Sequence, residues 1–161
     1  MSAESKRVAV IGAGTMGNGI AHVFAQSGHD VSLIDVNAAA LERALATINR
    51  NLDRLVAKEK ISADDKTATL VRLKTSTEMH GAVSDADLVV EAATERLDLK
   101  LKIFEQIDAS APADAILATN TSSISITRIA AATGRADKVI GMHFMNPVPI
   151  MKLVEVIRGY D

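Results

Sequence analysis

The chain of 161 residues contains no cysteine, which excludes disulfide staples and thiolate chemistry. Aromatic residues are only 2% of it against 48% hydrophobic residues, so valine, isoleucine, leucine and alanine must fill any core. No apolar run approaches the roughly 20 residues that span a bilayer. An excess of one charge is lacking too: the net charge is −2, with acids and bases interspersed, which argues against a nucleic-acid surface. The few residues before the first apolar run, Met1 to Arg7, are too short for a signal or transit peptide. A single soluble, cytoplasmic domain is expected, with no nucleic-acid or membrane partner and no metal site.

What is present begins with Val8-Ala9-Val10-Ile11, a β-branched run without polar alternation that reads as a buried parallel strand. It breaks into Gly12-Ala13-Gly14-Thr15-Met16-Gly17, after which Ile20, Val23 and Phe24 form the apolar stripe of a helix that Gly28 stops. A G-x-G-x-x-G between strand and helix is the context of the dinucleotide fingerprint. Gly12 permits the tight turn, Gly14 lets backbone approach a pyrophosphate, and Gly17 lets the helix pack on the strand. Thr15 and Met16 belong to the same turn, where helix N–H groups and the positive dipole end face the phosphates. A second strand, Val31 to Ile34, ends in Asp35, where the fold puts the group that binds an adenosine ribose 2′-OH. An acid there repels a 2′-phosphate and favours NAD over NADP.

Downstream, Asn37 caps a long helix whose stripe runs from Leu41 to Val56. Ser62 caps a second helix to about Leu73, making a helical hairpin over about 38–73. Its Arg50, Arg54, Lys58, Lys60, Lys66, Arg72 and Lys74 form the most basic region, either a solvated face or a surface for a phosphorylated substrate handle. Strands are expected at Lys74–Ser76, Leu88–Ala92, Ala115–Thr119, Val139–Met142 and Leu153–Ile157. Helices are expected from Leu97 to Ala109 and from Ile126 to Gly134. Strands alternating with helices imply an α/β fold: a Rossmann-type, doubly wound, mostly parallel sheet with the hairpin inserted after its second strand.

Ligands of such sheets bind beyond the carboxyl ends of the strands, where Asp35, Glu95, Asn120, Ser122 and His143 fall. Leu153-Val154-Glu155-Val156-Ile157 reads as a buried strand holding one carboxylate, which therefore needs a partner. His143 is the candidate: a carboxylate on one imidazole nitrogen fixes the tautomer and readies the other for general acid–base work. Taken alone, His143 reads as a satisfied core histidine, and Glu155 with the cofactor motif reverses that. Asn120 and Ser122, taken alone, read as loop caps rather than donors to a substrate carbonyl. His22, His29 and His80 read as structural or exposed.

These segments resemble the NAD-binding domain of the L-3-hydroxyacyl-CoA dehydrogenases, most closely the bacterial 3-hydroxybutyryl-CoA members. The resemblance covers nearly the whole chain. It rests on the Gly12–Gly17 turn, Val89-Val90-Glu91-Ala92, Asn120-Thr121-Ser122-Ser123 and, above all, His143-Phe144-Met145-Asn146-Pro147-Val148-Pro149 followed by Met151-Lys152-Leu153-Val154-Glu155-Val156. It implies NAD as cofactor and an acyl-CoA as substrate. His143 would be the acid–base, Glu155 would orient it, and Ser122 would meet the substrate hydroxyl. Asp35 would be the ribose ligand, and Asn146, Glu95, Lys100 and Asn120 would lie near the cofactor. Lys58 is the candidate for a CoA phosphate contact.

The implied reaction is reversible hydride transfer between C3 of a 3-hydroxyacyl-CoA and NAD+. Family members continue into an all-helical domain that closes the cleft, carries most of a homodimer contact and supplies an active-site Asn. Residues 1–161 therefore correspond to the cofactor domain alone, expected to bind NAD(H) with weak or no turnover and to leave the core-facing end of the last strand exposed. The competing readings are a non-catalytic NAD-binding module and a dehydrogenase of a short hydroxy acid without CoA.

Overall fold

The computed structural model describes residues 4–159. In chain order its elements are β1 (Arg7–Ile11), α1 (Thr15–Gln26), β2 (Asp30–Ile34), α2 (Ala38–Ala57), α3 (Ala63–Val71), β3 (Leu73–Ser76) and α4 (Met79–Val83). There follow β4 (Leu88–Glu91), α5 (Leu97–Ser110), β5 (Ile116–Thr119), α6 (Ile126–Ala130), a 3-10 turn (Ala136–Lys138), β6 (Val139–Phe144) and β7 (Val154–Arg158). The strands form one sheet in the order β3-β2-β1-β4-β5-β6-β7, parallel throughout except for the antiparallel β6–β7 pair. The expected doubly wound α/β architecture is the one observed.

The period-2 geometry of β1 divides its side chains between two cores. Val8 and Val10 pack with Ile20, Ala21 and Ala25 of α1 and Leu41, Ile48 and Leu52 of α2. Ala9 and Ile11 pack with Phe104 and Ile107 of α5 and Ile126 and Ile129 of α6. Burial on both faces is why β1 and β4 carry unbroken apolar runs. The chain leaves β1 towards β2 and returns at β4 on its other side, so the loops after β1 and β4 diverge and open a crevice between them.

Helix starts follow local chemistry. The Asn37 side chain accepts from the Ala40 N–H, and Ser62 forms a reciprocal capping box with Asp65. The Ser62 backbone N–H, bonded to the Asp65 carboxylate, holds that group below its ordinary pKa.

Several boundaries differ from expectation. The helix capped by Ser62 ends at Val71, because Leu73 is already recruited to β3 opposite Val31 of β2. The five-residue α4, capped by the Glu78 side chain, is too short to carry a periodic signal. The helix expected to reach Gly134 ends at Ala130, and the Gly134 N–H is held instead by Asp108. β6 continues through His143 and Phe144.

The largest correction concerns β7. It is an edge strand, not a buried one: Glu155 is exposed, as are Val156 at 63% and Ile157 at 39%. Each face of β7 alternates as apolar, yet no element among the described residues covers its outer face. With Ile150 at 73%, Met151 at 45% and Leu153 at 59% exposed, this strand and the segment before it make an apolar strip. Serine at Ile150 and Val156 is expected to leave the melting temperature nearly unchanged and to reduce self-association of this chain in analytical ultracentrifugation.

His22 is fully buried on α1. Its Nε2 bonds Gln26 Oε1 at 2.7 Å, while its Nδ1 has no hydrogen-bond partner. Burial lowers its pKa from the ordinary histidine value. The unfolded chain therefore binds a proton that the folded one refuses, and stability falls as pH drops below about 6.5. The melting temperature should therefore be lower at pH 5.5 than at pH 7.5, and His22→Gln should flatten the difference.

Candidate functional site

The crevice begins at the turn after β1. Gly12 has φ +104°, and a Cβ there would lie 2.7 Å from the Ala92 carbonyl oxygen. A Cβ on Gly17 would lie 1.7 Å from the Gly12 carbonyl oxygen, so this position too admits only glycine. Both are therefore required by the fold itself. Gly14 is different. It has φ −73°, which any residue adopts, and nothing lies within 4 Å of where its Cβ would be. No intramolecular contact explains glycine there. Gly14 is also the N-cap of α1, with no side-chain cap and no acid in the first turn, leaving the helix end open to an anion. Thr15 and Met16 are the first two residues of that helix.

Asp35, at the end of β2, is fixed from both sides. One oxygen accepts from the Ala13 N–H at 3.0 Å and the other from the Asn37 N–H at 2.9 Å. A carboxylate has about four acceptor sites, so two remain for a ribose diol. The open space at Gly14, the uncapped helix end and the half-satisfied Asp35 together fit a dinucleotide with a free 2′-OH.

Beyond β1 the crevice is lined by Met16, Ala92, Ala93, Thr94, Glu95, Lys100 and Asn120. Four site residues singled out in the sequence, Met16, Glu95, Lys100 and Asn120, thus meet in one cleft. Glu95 accepts from the Thr121 hydroxyl at 2.9 Å and the Ser123 hydroxyl at 3.3 Å, tying the loop after β4 to the loop after β5. Asn120 Oδ1 accepts from the Phe144 N–H at 2.9 Å, so the capping role holds for its carbonyl, and this bond anchors the end of β6.

Ser122 is exposed and lines a separate cleft of about 580 Å³ with Thr121, Ser123, Ile157 and Arg158. His143 and Glu155 stand directly opposite in the antiparallel β6–β7 register, with Nδ1 4.0 Å from a Glu155 carboxylate oxygen. The pairing expected from the sequence is present, but at the half-open edge of the sheet, and the carboxylate is 52% exposed. Asn146 is exposed in the turn after β6. That turn sits on α1, where Val148 is buried against Gly19 so closely that a Cβ would approach it to 2.8 Å. Lys58 is the exposed C-cap of α2 and lines none of these clefts.

One residue was not singled out. Glu91, at the end of β4, is fully buried and paired with Lys100 Nζ at 2.5 Å, with Thr119 Oγ1 donating to the same oxygen at 2.8 Å. Removing one partner of such a pair costs about 3–5 kcal/mol. A signal existed: Lys100 lies on the Leu97, Phe104, Ile107 stripe of α5, and a lysine on a core stripe demands a buried anion. The histidines outside the site are structural as read. His29 Nδ1 accepts from the Lys6 N–H, and His80 bonds Ser110.

Residues 7–161 match the family model described as 3-hydroxyacyl-CoA dehydrogenase, NAD binding domain. The chain is 52% identical over 159 residues to a 3-hydroxybutyryl-CoA dehydrogenase of Bradyrhizobium diazoefficiens, covering 99% of this chain and 54% of that protein. It is 49% identical over 159 residues to the 3-hydroxyadipyl-CoA dehydrogenase of Escherichia coli, covering 99% of this chain and 33% of that one. The crystal structure of an (S)-3-hydroxybutyryl-CoA dehydrogenase from Ralstonia eutropha superposes with a TM-score of 0.94 at 51% identity, over 98% of this chain and 55% of that one. The chain thus spans about half the length of the 3-hydroxybutyryl-CoA dehydrogenases it matches. With the glycine turn, Asp35 and the crevice between β1 and β4 accounted for, the chain belongs to the NAD-binding domain family of the 3-hydroxyacyl-CoA dehydrogenases.

Proposed function

We propose that this chain is the cofactor half of an enzyme that reversibly oxidises a 3-hydroxyacyl-CoA, such as 3-hydroxybutyryl-CoA, to the 3-oxoacyl-CoA with NAD+. The observation that carries the reading is the opposition of His143 and Glu155 across β6 and β7, beside a dinucleotide crevice. Glu155 faces Nδ1, which leaves Nε2 as the ring nitrogen for the substrate. In the oxidation, His143 accepts the 3-hydroxyl proton, and in the reduction it returns that proton to the carbonyl oxygen. Glu155 orients the ring and stabilises its protonated form; their 4.0 Å separation is the loose geometry that tightens when a substrate complex forms. The Ser122 hydroxyl hydrogen-bonds the reacting oxygen. NAD, when bound, supplies the acceptor for the hydride from C3. Gly14 and Asp35 hold its adenosine half, and Glu95, Lys100, Asn120 and Asn146 surround its other half.

The same reading includes a cytoplasmic location, a CoA phosphate contact at Lys58 and a helical second half. That half would cover the apolar strip from Ile150 to Ile157, complete the cleft and make a homodimer. Residues 1–161 then form the single cofactor domain of a longer chain. Among the described residues no helix is long and apolar enough to cross a membrane.

The test follows NADH absorbance on addition of acetoacetyl-CoA, with NADH binding read by fluorescence in the same sample. Binding with slow turnover is expected, and His143→Ala should lower that turnover about 10²- to 10⁴-fold while leaving NADH affinity unchanged. Turnover untouched by His143→Ala would sink the acid–base assignment. Binding with no turnover at all would mean that this cofactor half needs its second half for catalysis, and indifference to competing free CoA would favour a short hydroxy acid. Gly14→Ala should melt like the wild type yet bind NADH about tenfold or more weakly, whereas Gly17→Ala should fail to fold.

A further inference from the structure

Glu91 takes no part in the chemistry just described, yet it is completely buried and joins three walls of the crevice. One carboxylate oxygen accepts from the Ala93 N–H at 2.8 Å and the Thr94 N–H at 3.4 Å, fixing the loop after β4. The other accepts from Lys100 Nζ in α5 at 2.5 Å and from Thr119 Oγ1 in β5 at 2.8 Å. Its main-chain carbonyl takes the Asn120 N–H at 2.9 Å. Ala93, Thr94, Lys100 and Asn120 all line the crevice.

Stability alone is a poor reason for such a pair, since well-packed apolar residues of similar volume serve a core as well or better. The donor count suggests another reason. An ammonium carries three N–H donors, and Lys100 has two acceptors among the described residues, Glu91 Oε1 and Thr119 Oγ1 at 3.3 Å. One donor remains on a residue that lines the crevice.

We infer that Glu91 is a positioning residue for the nicotinamide half of the cofactor. It pins the Ala92–Glu95 loop and holds Lys100 so that the remaining N–H is presented, at fixed geometry, to an uncharged acceptor oxygen of that half: a ribose hydroxyl or the carboxamide oxygen. The inference rests on the reading of the crevice as the NAD site. It concerns only the half beyond β4, because the adenosine half is served by Asp35 and the Gly14 turn.

The experiment compares NADH with ADP, which lacks both the nicotinamide and its ribose, as ligands of this chain. In Glu91→Gln, and in the double variant Glu91→Gln/Lys100→Met, NADH should bind about tenfold or more weakly, the scale of one hydrogen bond to a charged donor. ADP affinity should stay within about twofold in both. The double variant leaves no unpaired buried charge, so its melting temperature should recover towards wild type while its NADH affinity does not; it also carries the test if the single variant fails to fold. Equal losses for the two ligands, unchanged NADH binding, or NADH affinity recovering together with the melting temperature would each overturn the assignment. A wild-type chain that binds ADP but not NADH would overturn it as well, leaving the adenosine site standing. Binding of neither would remove the cofactor reading and this inference with it.

Discussion

No side chain fits between Gly17 and the carbonyl of Gly12, and the rest of the site depends on that contact. It lets α1 start immediately beyond β1 and lie against the sheet, so the open end of the helix faces the crevice. The Gly12 N–H continues the β1–β2 ladder to the Ile34 carbonyl at 2.7 Å, and the Ala92 N–H continues the β1–β4 ladder to Ile11 at 2.8 Å. The turn is thereby held from both neighbouring strands. Asp35 reaches back to the Ala13 N–H from β2, and the walls of the crevice are set before any ligand arrives.

Two kinds of polar group surround this turn. Asp35, Glu95 and Asn120 each use some hydrogen-bonding capacity on loop backbone or hydroxyls and keep some spare. Such groups are scaffold with hydrogen-bonding capacity left over. Glu91 and Thr119 instead lie wholly beneath the surface and, with Lys100 on the crevice wall, connect β4, β5 and α5. A network buried to that degree is cooperative: each member fixes the geometry of the others, and losing one strands the rest.

The pair of His143 and Glu155 is built differently. His143 and Glu155 owe their proximity to one antiparallel pairing at the edge of an otherwise parallel sheet. Direct cross-strand opposition brings side chains to one place without further scaffolding. The outer face of β7 carries apolar residues that nothing among the described residues covers.

The glycine spacing, the β-branched strand before it and Asp35 after it determined the fold class and the dinucleotide site from sequence, because those features are local: a tight turn, a close helix approach and a strand end depend on few neighbours. The caps at Asn37 and Ser62 were legible for the same reason. What only the tertiary structure decided involves partners distant in the chain. Alternation cannot tell a strand apolar on two covered faces from one apolar on a bare edge, so Glu155 read as buried when it is exposed. Asn120 acquired its role from a backbone N–H that only β5–β6 pairing brings near, and the hub at Glu91 exists because three elements converge on one carboxylate. Local propensities are written residue by residue, whereas the partner of a buried charge is chosen by how the elements pack.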